Sequence, residues 1–241
     1  MMIKTYALFL FSIHILGDFY FQSERQAQQK KQSYTKVLQH CLFYGLAAVP
    51  FCLLSLGSKR IIASVLLVSS HFLIDSCKYL LKKEVKESKV FIVDQLFHLL
   101  SVLIISYFFH ESSVCVHPSV LAFLSVFTDS PLLLLSWMGM ALLIGKPVNV
   151  LIKQALSSYR PQALNQEERG GAGALIGTLE RVLMLIFLNL GQYGAIAWVL
   201  TAKSIARYSK IAEEKDFAEY YLSGTLLSMV LVLVVFLLSR I

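Results

Sequence analysis

The chain has 241 residues, of which 56% are hydrophobic and 15% are charged, and its mean hydropathy is +0.65. Soluble domains carry about 25% charged residues, so this composition excludes an ordinary soluble protein and predicts a polytopic membrane protein. The net charge of +7 comes from lysines and arginines between hydrophobic runs. This pattern favours a role in topology and lipid-headgroup contact over nucleic-acid binding.

The hydrophobic runs predict membrane-spanning helices, because a bilayer admits only helices or closed barrels and these runs are long and leucine-rich. In the first half they lie at residues 5–22, 37–56, 61–81, 90–109 and 119–145. Pro131 is expected to break or kink the last of these. In the second half they lie at 174–200 and 217–238. The predicted fold class is therefore an all-α polytopic membrane bundle with six or seven transmembrane helices.

The segment at 146–159 is amphipathic and too short to span a bilayer, so we expect an interfacial helix there. Beyond it, a single helix over 174–200 would leave four cations on the external face, against the positive-inside rule. These are Lys203, Arg207, Lys210 and Lys215. Either 174–209 forms a re-entrant hairpin that turns at Gly191–Gly194, or the cations lie paired inside the bundle. The sequence does not distinguish the two alternatives.

Basic residues cluster in two loops of the first half, which predicts that both loops are cytoplasmic. They are Arg25, Lys30, Lys31 and Lys36 after the first helix, and Lys78, Lys82, Lys83, Lys86 and Lys89 after the third. The loop after the fourth helix has no Lys or Arg, so it and the N-terminus are predicted to be external. Its His110 and His117 are interpreted as solvated loop residues. The four cysteines form no CxxC pair and are interpreted as small hydrophobic residues, not as disulfides or metal ligands.

Three histidine–aspartate pairs lie within the hydrophobic helices, each with the spacing that places both side chains on one helical face. They are His14 with Asp18, His71 with Asp75, and Asp94 with His98. The first two pairs lie on helices predicted to run toward the cytoplasm, and the third, in reverse order, lies on a helix predicted to run away from it. We therefore expect the three aspartates at one depth near the cytoplasmic face, with their histidines about one helical turn deeper. His40 falls at a similar level.

The stretches HILGD and HFLID also mark an internal repeat, because each is followed by another histidine at a nearly equal separation. We infer a duplicated two-helix unit, with copies at about 1–57 and 58–110, that packs around one polar centre. Residues 1–110 are then the half that carries the site. Residues 111–241 form a C-terminal membrane half.

Seven residues form the predicted site, since ionisable groups inside a membrane are costly and indicate function. They are His14, Asp18, His40, His71, Asp75, Asp94 and His98, named below the His/Asp site. Imidazole and carboxylate groups suit zinc, manganese or iron, so the set predicts one divalent metal with supporting residues, or two metals. One of the three aspartates would act as general base. The competing interpretation is a satisfied polar network that only holds the helices together.

The second half offers a weaker candidate site for substrate. Glu180 lies on a stripe of small residues and is expected to face a neighbouring helix, whereas Arg181 points about 100° away. Lys203 and Arg207 are candidates for binding a phosphate group. The alternative is that these charges compensate one another within the bundle.

A site near the cytoplasmic headgroups predicts a metal-dependent hydrolase of a lipid-linked or amphiphilic substrate, with membrane lipids as partners. The first alternative is a metal-ion or proton-coupled transporter. The HxxxD motif resembles the transport site of cation-diffusion-facilitator zinc transporters, although the chain lacks their histidine-rich loop and soluble domain. The second alternative is a non-catalytic membrane scaffold.

Six stretches together resemble one protein family. They are HILGDF, HFLID, DQLFH, LERVLMLIFLNLGQYG, AKSIARY and FAEYYLSGTLLS. The chain resembles the bacterial integral membrane proteins of domain-of-unknown-function family 3307. The HxxxD and DxxxH positions resemble that domain, and GQYG and AKSIAR resemble the C-terminal region of its longer members. The resemblance implies a multi-pass protein of the bacterial cytoplasmic membrane, and it implies no particular chemistry.

Overall fold

A computed structural model describes residues 2–54, 58–80, 87–109, 118–129, 131–161 and 172–240. These residues form helices and no strands, which confirms the predicted all-α class. The chain divides into two compact units, Met1–Gly139 and Met140–Ile241. The predicted functional division into residues 1–110 and 111–241 stays a prediction.

The first unit is built around four helices that pack side by side, α1, α3, α4 and α5. Its described elements are α1 (Met2–Ile15), a π-helix (Leu16–Tyr20), α2 (Glu24–Lys30), α3 (Tyr34–Leu54), α4 (Ser58–Leu80), α5 (Glu87–Phe109), α6 (Pro118–Ser125) and the start of α7 (Pro131–Ile144). The predicted helix at 119–145 is thus broken. The break precedes Pro131, whose ring cannot continue a helix but fits a helical first turn.

The first unit buries ionisable side chains beside an apolar core and exposes large apolar side chains, unlike a soluble domain. Its buried polar side chains include His14, His40, His71, Asp75, Asp94 and His98, none more than 7% exposed. Large apolar side chains point outward, such as Leu42 on α3 and Phe97 on α5, at 65% and 55% exposure. Such a surface suits hydrocarbon, and the buried ionisable groups mark this unit as the place to look for function.

The second unit contains the end of α7 and five further described helices. They are α8 (Lys146–Ala155), α9 (Ala172–Asn189), α10 (Tyr193–Ile205), α11 (Tyr208–Glu213) and α12 (Lys215–Arg240), with a short 3-10 turn at Ser157–Tyr159. The alternative of a single helix over 174–200 is wrong. The chain turns between α9 and α10 at Gly191, whose φ of +68° is a left-handed conformation that favours glycine.

Four helices are long and apolar enough to cross a bilayer, judged over the described part of the chain. They are Lys59–Leu80, Glu87–Phe109, Ala172–Asn189 and Lys215–Ser239, with a shorter apolar helix at Phe9–Tyr20. They suggest a membrane protein. The total of six or seven spans, the orientation and the duplication stay predictions. The loop holding His110 and His117 and the hydrophilic segment at 162–171 lie outside the described residues.

Candidate metal centre

The first histidine–aspartate pair is divided between two kinds of helix. His14 is the penultimate residue of α1, and Asp18 lies in the π-helix that follows. A π-helix holds one extra residue per turn, which re-aims the side chains it carries, and such turns are frequent at functional sites. A capping box between Ser23 and Gln26 then starts α2. This short helix ends at Lys30 and returns the chain to the site.

The three aspartates lie together at one level, and two lysines hold them there. Lys30 Nζ donates to Asp75 Oδ2 at 2.8 Å and lies 3.9 Å from Asp18 Oδ1. Lys78 Nζ donates to Asp94 Oδ2 at 2.7 Å. These lysines were assigned above to cytoplasmic loops, as topology charges. The structure shows that they also act as counter-ions of the site.

Burial by itself lowers the pKa of Lys30, but the carboxylates of Asp18 and Asp75 outweigh it and raise that pKa above its ordinary value. Lys30 is therefore a permanent cation at neutral pH. Its side chain is 13% exposed, against 53% for the adjacent Lys31, which pairs with Glu87 at the surface. Lys30 thus belongs to the interior of the site and Lys31 to its rim.

The histidines form a second level, deeper than the aspartates. The His71 and His98 rings stack with centroids 4.4 Å apart, and His14 lies 4.9 Å from His98. His40 Nε2 is 3.0 Å from His71 Nε2 and 3.2 Å from Asp18 Oδ1. The structure therefore brings all seven residues of the His/Asp site together, and the depth of each residue in the membrane stays a prediction.

His14 differs from the other histidines because both of its ring nitrogens have hydrogen-bond partners. The Gln95 carbonyl oxygen lies 3.4 Å from Nε2, and because it only accepts, that nitrogen carries the proton. Nδ1 then accepts from the Tyr44 hydroxyl at 3.4 Å. The Gln95 amide also donates to Asp18 Oδ2 at 3.0 Å. His14 is therefore placed to support the site from behind, with Gln95 joining it to a carboxylate.

An apolar cluster closes the deep side of the histidines. Its buried members are Leu10, Ile13, Tyr44, Ala48, Ala63, Leu67, Val102 and Ile105. The Tyr44 ring lies flat against His71, with centroids 3.7 Å apart and an interplanar angle of 5°. The Lys78 side chain, which pairs with Asp94, is 35% exposed.

Four groups of three side chains bring possible ligand atoms within 4.8 Å of one another. They are His14/His71/His98, Asp18/His40/His71, Cys41/His71/Asp75 and Asp75/Asp94/His98. The buried His/Asp groups can therefore hold a metal ion. The last group contains two such atoms, since His98 Nε2 and Asp94 Oδ1 are buried and have no hydrogen-bond partner among the described residues, as is also true of His71 Nδ1 in the other groups.

Sequence reasoning missed several contributors to the site. Lys30 and Lys78 look like ordinary loop cations, and Gln95 and Tyr44 like ordinary helix residues. Cys41, interpreted above as a small hydrophobic residue, lies within ligand distance of His71 and Asp75. Two positions gave a usable signal. Gln95 is next to Asp94 in the sequence, and Tyr44 lies one helical turn after His40.

The candidate substrate residues of the second unit do not form one group. Lys203 Nζ donates to Glu180 Oε2 at 2.6 Å, so these two charges compensate each other. Arg181 is 1% exposed and donates to neutral acceptors: the Ile144 carbonyl, Asn149, Thr178 and Ser228. The Arg207 guanidinium lies 6.0 Å from the centre of the Phe217 ring. These contacts favour charge compensation and helix packing over a phosphate site.

The chain was compared with known protein families, curated proteins and solved structures. Residues 6–126 match the family described as "Protein of unknown function (DUF3307)". The chain belongs to this family. The DUF3307 match contains the whole His/Asp site. No curated protein and no solved structure matches the chain.

Proposed function

We propose that this DUF3307 protein is a membrane metalloprotein whose first unit binds a divalent ion at Asp75, Asp94 and His98. The two unpartnered buried atoms support the proposal. His98 Nε2 lies 3.7 Å from Asp94 Oδ1 and 4.0 Å from Asp75 Oδ1. Ligand atoms around a four-coordinate zinc ion stand about 3.3–3.6 Å apart, so a small inward movement would complete the set. Without an ion, leaving both atoms unsatisfied costs about 1–3 kcal/mol each.

Lys78 supports this arrangement through the other oxygen of Asp94. Because Lys78 holds Oδ2, the Asp94 carboxylate is oriented with Oδ1 toward His98. Hydrogen-bond partners of this kind fix the orientation of metal-binding carboxylates. Mixed imidazole and carboxylate ligands suit zinc, manganese or iron.

Hydrolysis of a lipid-linked or amphiphilic substrate is the activity that this site supports best. A bound divalent ion would polarise an ester, amide or phosphoryl oxygen. If Asp75 and Asp94 are ligands, Asp18 is the remaining carboxylate of the three and can take the general-base role. The site lies beside partly exposed lysines, where a polar headgroup would enter while its apolar tail stays in the bilayer.

The closed deep side favours an enzyme over a carrier. A carrier must expose its site to both faces of the membrane in turn, whereas the apolar cluster behind the histidines is almost fully buried, with Leu10, Ile13 and Tyr44 at 0% exposure. A metal-ion or proton-coupled transporter would need this packed layer to open. A transporter therefore remains the alternative that the experiments below must separate from a hydrolase.

The first test is the metal content of the full-length protein purified in detergent. We expect close to one zinc, manganese or iron ion per chain in the wild type and in Asp129→Asn, an exposed carboxylate of the same unit. Asp94→Asn and His98→Gln should lower metal affinity by more than about 100-fold, because even outer partners of a metal site contribute 10–100-fold. A folded wild type that binds neither added Zn²⁺ nor added Mn²⁺ would refute the proposal and leave a structural or proton-conducting network.

The second test separates the activities in sealed proteoliposomes. Metal-dependent cleavage of fluorogenic ester or phosphoester lipids, absent in Asp94→Asn and present in Asp129→Asn, would support the hydrolase. Metal-ion uptake reported by an entrapped indicator, with no cleavage, would instead establish transport. A protein that binds metal and does neither in either assay would contradict both activities.

A further inference from the structure

The Asp75 carboxylate faces two different sets of possible metal ligands, one with each of its oxygens. Asp75 Oδ1 lies 4.0 Å from His98 Nε2, in the ion position proposed above. Asp75 Oδ2 lies 3.7 Å from His40 Nε2 and 3.7 Å from His71 Nε2. A carboxylate in this position can bridge two cations about 3.5–4 Å apart, as in two-metal hydrolytic sites.

The second set of possible metal ligands is already close to the arrangement that binds an ion. Its members are Asp18, His40 and His71, whose ligand atoms all lie within 4.8 Å of one another. The nitrogens of His40 and His71 that face each other are only 3.0 Å apart. Two imidazole lone pairs cannot point at each other at this distance, so a proton must lie between these nitrogens or a cation must bind both. All three side chains are largely or fully buried.

A cation is already present beside this second set. The Lys30 ammonium lies 2.8 Å from Asp75 Oδ2 and 3.9 Å from Asp18 Oδ1, between the two carboxylates. Lys30 is the last residue of α2, a seven-residue helix without buried residues, so the lysine can withdraw without disturbing the packed core. The Lys30 ion pairs can therefore break without a rearrangement of the packed helices α3, α4 and α5.

We propose that Asp18, His40, His71 and Asp75 form a second divalent-ion position, and that Lys30 neutralises it until an ion displaces the lysine. This inference rests on the proposed function, because Asp75 is shared with the first ion. With both ions bound, Asp18 would be a ligand, and the pair of ions would supply the activation of water that is otherwise assigned to Asp18 as general base. Lys30 thus sets the affinity of the second position.

The experiment is a Mn²⁺ titration of the full-length protein, followed by electron paramagnetic resonance. Isolated Mn²⁺ ions give a six-line spectrum, whereas two ions about 4 Å apart couple through their spins. We expect one tight and one weaker ion in the wild type. Lys30→Met should tighten the second ion by at least about tenfold, because a like charge a few ångströms away is removed. Lys30→Arg should restore weak binding, and Lys31→Met, at the adjacent exposed lysine, should change nothing.

Ligand variants make the proposal testable even if Lys30→Met fails to fold. Asp18→Asn should keep one uncoupled ion at the first position, and Asp94→Asn should keep one at the second. Asp75→Asn should weaken both. If the wild type binds only one ion and Asp18→Asn does not change its affinity, the second position is refuted while the proposed function stands. Loss of all binding in Asp94→Asn, with Asp18→Asn unchanged, would also refute it. No Mn²⁺ or Zn²⁺ in the folded wild type would refute the proposed function itself.

Discussion

Gly17 lies against the buried Tyr44 ring, so we expect any side chain at this position to be unfavourable. A Cβ atom at this position would lie 2.5 Å from Tyr44 Cδ2, where carbon atoms normally stand about 3.5–4.0 Å apart. Tyr44 would have to retreat by about 1 Å or more. Tyr44 is 0% exposed and its ring centroid lies 3.7 Å from that of His71, so a shift of Tyr44 would also displace His71 in the His/Asp site.

We therefore expect Gly17→Ala to destabilise the first unit by about 1–3 kcal/mol, the usual cost of overpacking. At about 2–4 °C per kcal/mol, the unfolding midpoint should fall by about 2–12 °C. Metal affinity should fall by about tenfold, because Tyr44 supports His71 and His14. Detergent-solubilised protein can be assayed by differential scanning fluorimetry and by Zn²⁺ titration.

Gly45→Ala on α3 is the matched control. Its Cβ would meet Val68 Cγ1 at 3.6 Å, an ordinary contact, and alanine favours a helix interior by up to about 1 kcal/mol. Its midpoint should equal or exceed that of the wild type. A second check is Tyr44→Leu, which should remove most of the penalty of Gly17→Ala in the double variant. Wild-type midpoint and affinity in Gly17→Ala would refute the close approach of these two residues.

Two further predictions concern the second unit. Lys203→Met should destabilise it by about 2 kcal/mol or more, because it leaves the buried Glu180 carboxylate without its ammonium partner. Lys215→Met, from an exposed pair with 3.9 Å separation, should change the unfolding midpoint little. Equal midpoints for both variants in thermal unfolding would contradict the burial of the first pair. Gly191→Ala should lower the free energy of unfolding by about 1 kcal/mol because of the left-handed φ at this position. Gly194→Ala, inside α10, should be neutral or stabilising. A neutral Gly191→Ala in the same assay would show that this turn is not formed.

The polar centre was accessible from sequence because two simple regularities fix it. Side chains four apart share a helical face, and consecutive membrane helices reverse direction. His71 before Asp75 and Asp94 before His98 therefore predict like groups at like depths, and in the structure each of these histidines lies 3.7 Å from its own aspartate. The bounds of α4 and α5 followed from the apolar runs for the same reason, since a bilayer leaves the backbone few alternatives, whereas the runs at 119–145 and 174–200 are each interrupted.

The supporting groups were not accessible, because their roles depend on how the helices meet. Lys30 is 45 residues before Asp75, with all of α3 between them, and nothing in its sequence neighbourhood distinguishes it from Lys31. A π-helix at Asp18 has no sequence signature that periodicity detects. The turn at Gly191 was visible in GQYG, but charge distribution alone permitted two topologies, and only local backbone geometry decides that the helix is interrupted.

The charges of the His/Asp site constrain what it can bind. Three carboxylates face two ammonium groups in the described ion pairs, so one negative charge remains in a buried place when the histidines are neutral. A proton on one imidazole would cancel it and give a purely structural or proton-conducting centre. A divalent ion would instead reverse the sign, and a second ion that displaces Lys30 would make the centre more positive still. A centre with bound divalent ions and a net positive charge favours an anionic ligand. Among amphiphilic substrates we therefore expect phosphate-bearing lipids to be preferred over neutral esters.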